Sequence, residues 1–316
     1  MRALICGVGG QDGAYLSRLL LDKEYEVIGA SRDAMASSFG NLKSLGIRDR
    51  VITTSMAVSD FRSVLQNLDK HRPDEIYNLA GQSSVGLSFE QPVETMESIA
   101  IGTLNLLEAI RFYGKSIRFY NAGSSECFDD TGAIPANEET PFRPRSPYAV
   151  AKASAHNLVA NYREAYSLYA CTGILFNHES PLRPERFVTQ KIVRTAARIA
   201  SGSGEKLEMG NINIQRDWGW APEYVEAMWK MLQLDDPQDF VIATGRTVSL
   251  EFFIEQAFQS FGLTYKDYLV TNPNFYRPTD IHIGSADPSK ANDLLDWRAQ
   301  VTIESVIENM CIAAKV

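Results

Sequence analysis

Ala3-Leu4-Ile5-Cys6-Gly7-Val8-Gly9-Gly10-Gln11-Asp12-Gly13 decides the fold class. Four apolar residues in a row read as a strand buried on both faces, since a strand with one wet face would alternate apolar with polar. Glycines at 7, 10 and 13 then give G-x-x-G-x-x-G, and Tyr15, Leu16, Leu19 and Leu20 follow at helical spacing. Strand, glycine turn and helix in that order open a dinucleotide-binding unit. Glycine permits the tight turn and lets the backbone approach a pyrophosphate, which sits at the positive end of the helix. Gly7, Gly10, Gln11, Asp12 and Gly13 are therefore candidate cofactor contacts.

The same texture continues outward. Strand candidates at 26–30, 51–54, 75–79, 117–121 and 170–176 alternate with helical segments, among them 93–113 and one that opens at Ser146-Pro147 and runs to 167. Serine as N-cap and proline at the first helical position mark that opening. The alternation predicts an α/β protein with a doubly wound (Rossmann) parallel sheet. Beyond 177 the texture changes to a loop rich in Pro and Arg, a helix at 188–201, and short elements including 224–234, 250–261 and 303–313. The expected division is a Rossmann domain at 1–177, to which 215–243 returns, and a smaller, discontinuous α/β substrate lobe over 178–316.

With 316 residues and 45% hydrophobic content, the chain is long enough for both parts. A net charge of −8 without a run of like charges argues against nucleic acid or an anionic membrane as partner. No apolar run reaches the ~18 residues of a membrane helix, and glycines come too early for a signal peptide. Cys6, Cys127, Cys171 and Cys311 are scattered, with neither a disulfide framework nor zinc spacing, so a cytoplasmic protein without a metal is expected.

The second strand runs out as Gly29-Ala30-Ser31-Arg32-Asp33. A hydroxyl followed by a guanidinium suits a ribose 2′-phosphate, which favours NADP. The alternative is a solvated Arg32 with Asp33 on the ribose of NAD.

Tyr148-Ala149-Val150-Ala151-Lys152 places a phenol and an ammonium one helical turn apart. A free tyrosine, with a pKa of ~10, is a poor base at neutral pH, and a nearby cation favours its phenolate. Upstream, Ser124 and Glu126 stand two apart after the fifth strand, so both can face one cavity at its carboxyl end. Ser124 would bond a reacting hydroxyl, and Glu126 would move a second proton. Taken singly, each of these features has a bland reading as a loop or surface residue.

Glycine loop, Ser124 and Tyr-x-x-x-Lys, in this order, resemble the extended short-chain dehydrogenase/reductase family. The blocks at 7–13, 78–83, 125–126, 144–149, 173–181, 216–219 and 276–279 are similar, within it, to the GDP-mannose 4,6-dehydratase family and span nearly the whole chain. That resemblance implies oxidation of C4 of the hexose of a GDP-sugar, loss of water across C5 and C6, and return of hydride to C6, with NADP regenerated in place. It implies that Tyr148 takes the C4 hydroxyl proton, Lys152 holds the ribose and tunes Tyr148, and Glu126 carries the C5 proton to the leaving C6 hydroxyl. Leu79 and Ala80 join the cofactor contacts by resemblance. Asn177, Lys191, Arg216 and Arg277 become substrate contacts, with Ser83 and Glu179 near the sugar. Alternatives are a dehydratase of another GDP-manno sugar such as a heptose, an NADP-dependent 4-reductase or epimerase of nucleotide sugars, and a non-catalytic sensor on the same fold.

The chain departs from the family pattern in several places. Ser124 stands for the usual Thr, Gln190 for an Arg before Lys191, and Leu182 for the first Arg after the Ser-Pro at 180–181. The Asp expected after the third strand is absent from Ser55-Met56-Ala57-Val58, and the loop at 34–41 differs. In the family that loop helps to form a tetramer. A homodimer through the helices near 93–113 and 147–167 is the expectation, with a homotetramer as the alternative.

Overall fold

A computed structural model describes residues 1–132, 134–275 and 279–315. Its strands in chain order are β1 (Arg2–Cys6), β2 (Glu26–Ser31), β3 (Ile52–Ser55), β4 (Glu75–Asn78), β5 (Arg118–Ala122), β6 (Ala170–Leu175) and β7 (Asn177–Glu179). They continue as β8 (Leu207–Met209), β9 (Gln215–Trp220), β10 (Phe240–Ile242), β11 (Thr247–Ser249), β12 (Leu269–Thr271) and β13 (Ile283–Gly284).

Seven parallel strands form the main sheet in the order β10-β6-β5-β4-β1-β2-β3. Buried on both faces, these strands are apolar runs in the sequence for that reason. One face is covered by the helices Gln11–Asp22 and Ala221–Met231, the other by Phe61–His71, Gly102–Tyr113 and Pro147–Tyr166. The strand order reverses between β1 and β4, and a doubly wound sheet opens a crevice at the carboxyl ends there. The turns after β1, β4 and β5 all lead to that side of the molecule.

The segment 215–243 divides between the two parts. The helix Ala221–Met231 and β10 lie with the main sheet, but β9 pairs with β11, β13 and β7 in a small sheet of the second lobe. Two side chains hold it there. Trp218 is buried in the second core against Phe253, and the Asp217 carboxylate accepts bonds from Thr244 N (3.0 Å), Thr244 Oγ1 (2.9 Å) and Gly245 N (2.7 Å). Burial pushes Asp217 up to about 6. The return to the main sheet thus starts after Trp220.

The long helix expected at 93–113 starts at Pro92 and carries a π turn at Glu97–Ile101 before continuing as Gly102–Tyr113. This turn sits under the 81–84 loop, where Ser98 Oγ accepts a bond from Gln82 N at 3.3 Å. Periodicity does not reveal such a one-residue insertion.

Candidate active site

Ser146 Oγ accepts from Ala149 N at 3.1 Å and caps the helix Pro147–Tyr166. Tyr148 and Lys152 then lie on its inner face, one turn apart. Lys152 Nζ donates to the carbonyl of Ala122, the last residue of β5, at 2.7 Å, and stands 5.8 Å from the Tyr148 ring centre. Two residues beyond Ala122, the Ser124 hydroxyl accepts from Glu126 N at 3.3 Å and lies near enough to the Tyr148 phenol to bear on its proton. Burial pushes the Tyr148 phenol well above its usual 10. The neighbouring Ser124 hydroxyl opposes this, the Glu126 charge adds to it, and the Arg183 charge counters it. Burial brings the Lys152 ammonium down to about 8. The structure therefore brings all four expected catalytic residues to one place, with a lysine still charged at neutral pH but close to releasing its proton.

The glycine loop lies at the crevice. Gly7 has φ +84°, and a Cβ there would sit 2.7 Å from Leu79 O, so only glycine lets the turn abut the exit of β4. Leu79 and Ala80 thus border the loop. A Cβ on Gly13 would lie 2.5 Å from Gly7 O, whereas one on Gly9 would meet nothing within 4 Å. The helix Gln11–Asp22 starts at Gly10 without a side-chain cap. Its first-turn N–H groups and an open outer side fit a diphosphate.

The side chains of Gln11 and Asp12 turn toward β7. Gln11 Nε2 donates to His178 O (3.2 Å), Ser180 Oγ donates to Gln11 Oε1 (2.7 Å), and Asp12 Oδ2 faces His178 Nε2 at 2.9 Å. What these two residues offer a ligand is backbone; their side chains tie the loop to β7. Ser31 is half-buried and Arg32 exposed beyond β2, while Asp33 Oδ1 accepts from Met35 N (2.9 Å) and Ala36 N (3.1 Å) and so closes its own turn.

On the substrate side, Ser83 is exposed in the loop after β4 and Asn177 is half-buried at the start of β7. Glu179 is turned inward: it is buried, accepts from Thr189 Oγ1 at 2.7 Å and lies 3.4 Å from Arg183 Nε, so it braces Arg183. In the second lobe, Lys191 Nζ donates to Glu208 O at 2.7 Å and lies 3.8 Å from the centre of the Phe275 ring. Arg216 is buried, donates to Gln215 O at 2.9 Å and lies 3.7 Å from Asp280. Arg277 lies outside the described residues. Leu182 and Gln190, two of the departures from the family pattern, line one groove of about 750 Å³ with Asn41, Arg183 and Arg194.

Sequence reasoning missed His178 and Arg183. His178 contacts the cofactor loop, and Arg183 is near enough to bear on both Tyr148 and Asp12. The available signal was the two basic residues that follow the sixth strand within one short polar stretch.

A doubly wound sheet, a glycine loop and a Tyr-x-x-x-Lys helix at its carboxyl edge define an extended short-chain dehydrogenase/reductase. Solved structures agree on the fold: a UDP-glucose 4-epimerase from Thermotoga maritima is similar at TM-score 0.89 and 22% identity over 99% of this chain and 98% of its own. A dTDP-glucose 4,6-dehydratase from Bacillus anthracis, in complex with NAD, is similar at TM-score 0.86 and 21% identity over 99% of this chain and 96% of its own. The family model described as GDP-mannose 4,6 dehydratase matches residues 4–310, and the chain belongs to that family. It is 45% identical to GDP-mannose 4,6 dehydratase 1 of Arabidopsis thaliana over 98% of this chain and 88% of that protein. It is likewise 45% identical to the GDP-mannose 4,6-dehydratase of Sinorhizobium fredii, over 96% of this chain and 93% of that protein.

Proposed function

We propose that this chain is a hydro-lyase that converts GDP-D-mannose to GDP-4-keto-6-deoxy-D-mannose with a bound NADP that is regenerated in each cycle. The observation that carries the reading is Glu126 beside Ser124, Tyr148 and Lys152: a 4-reductase or 4-epimerase has no use for an added acid–base carboxylate. The family relationship supports the same substrate.

When bound, a nicotinamide supplies reversible hydride acceptance, from C4 and back to C6. The chain's own residues move the protons. Tyr148, with Ser124 beside it, takes the proton of the C4 hydroxyl, and the Lys152 ammonium favours the resulting phenolate. Once C4 is a ketone, the C5 proton is acidic. Glu126 removes it and passes it to the C6 oxygen, which leaves as water. C5 then takes up one proton, which balances the one that Tyr148 removed from the C4 hydroxyl, and with hydride back on C6 the product is one water lighter than the substrate, with no net redox change.

Ser31 and the exposed Arg32 suit a 2′-phosphate, and Asp33, engaged by its own turn, is a poor ribose partner; this favours NADP over NAD. Lys191, Arg216 and Arg277 supply cations for the GDP diphosphate, and Ser83 and Asn177 face the sugar. The assembly is a homodimer through the helices at 92–113 and 147–166, which expose Val93, Ile101, Val150 and Tyr166. The workplace is the cytoplasm, in keeping with four free, buried cysteines; no helix among the described residues is long and apolar enough to cross a membrane.

Glu126→Gln tests the reading. It keeps the volume and removes the base, so C4 oxidation proceeds, reduced nicotinamide accumulates, and loss of water slows by about 100-fold or more. Normal turnover in this variant would take Glu126 out of the mechanism.

A further inference from the structure

The turn that would hold the diphosphate carries a carboxylate. Asp12 lies in the first turn of the helix Gln11–Asp22, where the N–H groups and the helix dipole favour an anion and a fixed negative charge opposes a second one. The conflict is resolved from the second lobe. His178 Nε2 stands 2.9 Å from Asp12 Oδ2, its Nδ1 stands 2.8 Å from Phe176 O, and its ring lies on that of Tyr224, with centroids 4.6 Å apart. A backbone carbonyl only accepts, so Nδ1 carries a proton. The ionised carboxylate only accepts, so Nε2 carries one too. With an acceptor at each nitrogen, the ring is an imidazolium. The Asp12 charge and hydrogen bond raise His178 above its usual value against the lowering effects of burial and of the Arg183 charge, and Asp12 itself is held at about 2. Arg183 adds a weaker positive influence on Asp12. The bonds of Gln11 to His178 O and Ser180 are neutral and replace none of this charge.

We propose that His178, held as an imidazolium between Phe176 O and Asp12, is a positioning residue for the cofactor loop that cancels the Asp12 charge, so that this turn accepts a dinucleotide diphosphate. The inference rests on the reading of the glycine loop as a dinucleotide site and deepens it.

The test is a calorimetric titration of NADP into the full chain freed of nucleotide. His178→Gln retains a hydrogen-bonding side chain but no charge, and leaves Asp12 facing the incoming diphosphate; affinity falls by about tenfold or more. The double variant Asp12→Asn/His178→Gln removes both charges and returns to within about threefold of the wild type. If the single variant binds as the wild type does, or if the double variant stays as weak as the single one, the compensation does not exist. Should His178→Gln fail to fold, Asp12→Asn alone carries the test: it binds NADP at least as tightly as the wild type, and weaker binding overturns the proposal. A wild-type chain that binds neither NADP nor NAD would instead remove the dinucleotide reading itself.

Discussion

Gly13→Ala is a perturbation whose size follows from the backbone. The added Cβ would lie 2.5 Å from Gly7 O, 2.7 Å from Val8 Cα and 2.9 Å from Val8 C. All three are backbone atoms of the turn itself, so no side chain can swing aside. Ordinary contact needs about 3.4 Å or more, and the helix start and the turn must therefore separate by roughly 1 Å. Overpacking of this kind costs about 1–3 kcal/mol, which at this chain length lowers the melting temperature by a few degrees. The larger effect is on the ligand, because a 1 Å misplacement of positioning groups weakens their action by up to about 100-fold. The expected result is a Kd for NADP raised by about 10- to 100-fold, measured by calorimetry alongside a thermal melt. Gly9→Ala is the companion variant: its Cβ meets nothing within 4 Å, so the melt stays within about 1 kcal/mol of the wild type. A Gly13→Ala protein that melts and binds NADP as the wild type does would refute the assignment of this turn to the phosphates.

Tyr148→Phe removes only the phenol oxygen, so turnover falls by about 100-fold or more while NADP affinity changes by no more than a few-fold; retained turnover in a rate assay would shift the base elsewhere. The Asp12–His178 pair sets a pH window for stability. Asp12, lowered from 3.8 to about 2, contributes stability above 3.8 that is lost as pH falls toward 2. His178, raised above 6.5, contributes stability below 6.5 that is lost as pH rises through its folded value. The gap in melting temperature between the wild type and Asp12→Asn is thus widest between about pH 4 and 6.5, and a gap independent of pH across melts from 3 to 9 would contradict the pairing.

Local order was legible in this sequence where one residue type answers one local need. Ala3-Leu4-Ile5-Cys6 is apolar because β1 is buried on both faces, Ser146-Pro147 opens a helix as a cap and first residue should, and Tyr148 and Lys152 share a face through helical spacing alone. The same logic placed Ser124 and Glu126 at the end of β5. Partners distant in the chain were not legible. Asp12 and His178 are 166 residues apart, and nothing local to either names the other. The segment 215–243 was expected to return whole to the main sheet, but Asp217 and Trp218 find their partners in the second lobe, which decides the sheet that Gln215–Trp220 joins. Glu179 suggests a sugar ligand by its place in a motif, yet its carboxylate is taken up by Thr189 and Arg183. Likewise, the π turn at Glu97–Ile101 arises where the helix meets the 81–84 loop, a tertiary circumstance.

The central claim is an internal redox cycle that removes water, and mass balance tests it most directly. Purified protein, incubated with GDP-mannose and NADP in the absence of any added reductant, is followed by mass spectrometry and by nicotinamide absorbance. The account predicts a product lighter by one water and no accumulation of NADPH. A product that forms only when NADPH is supplied and consumed would contradict it.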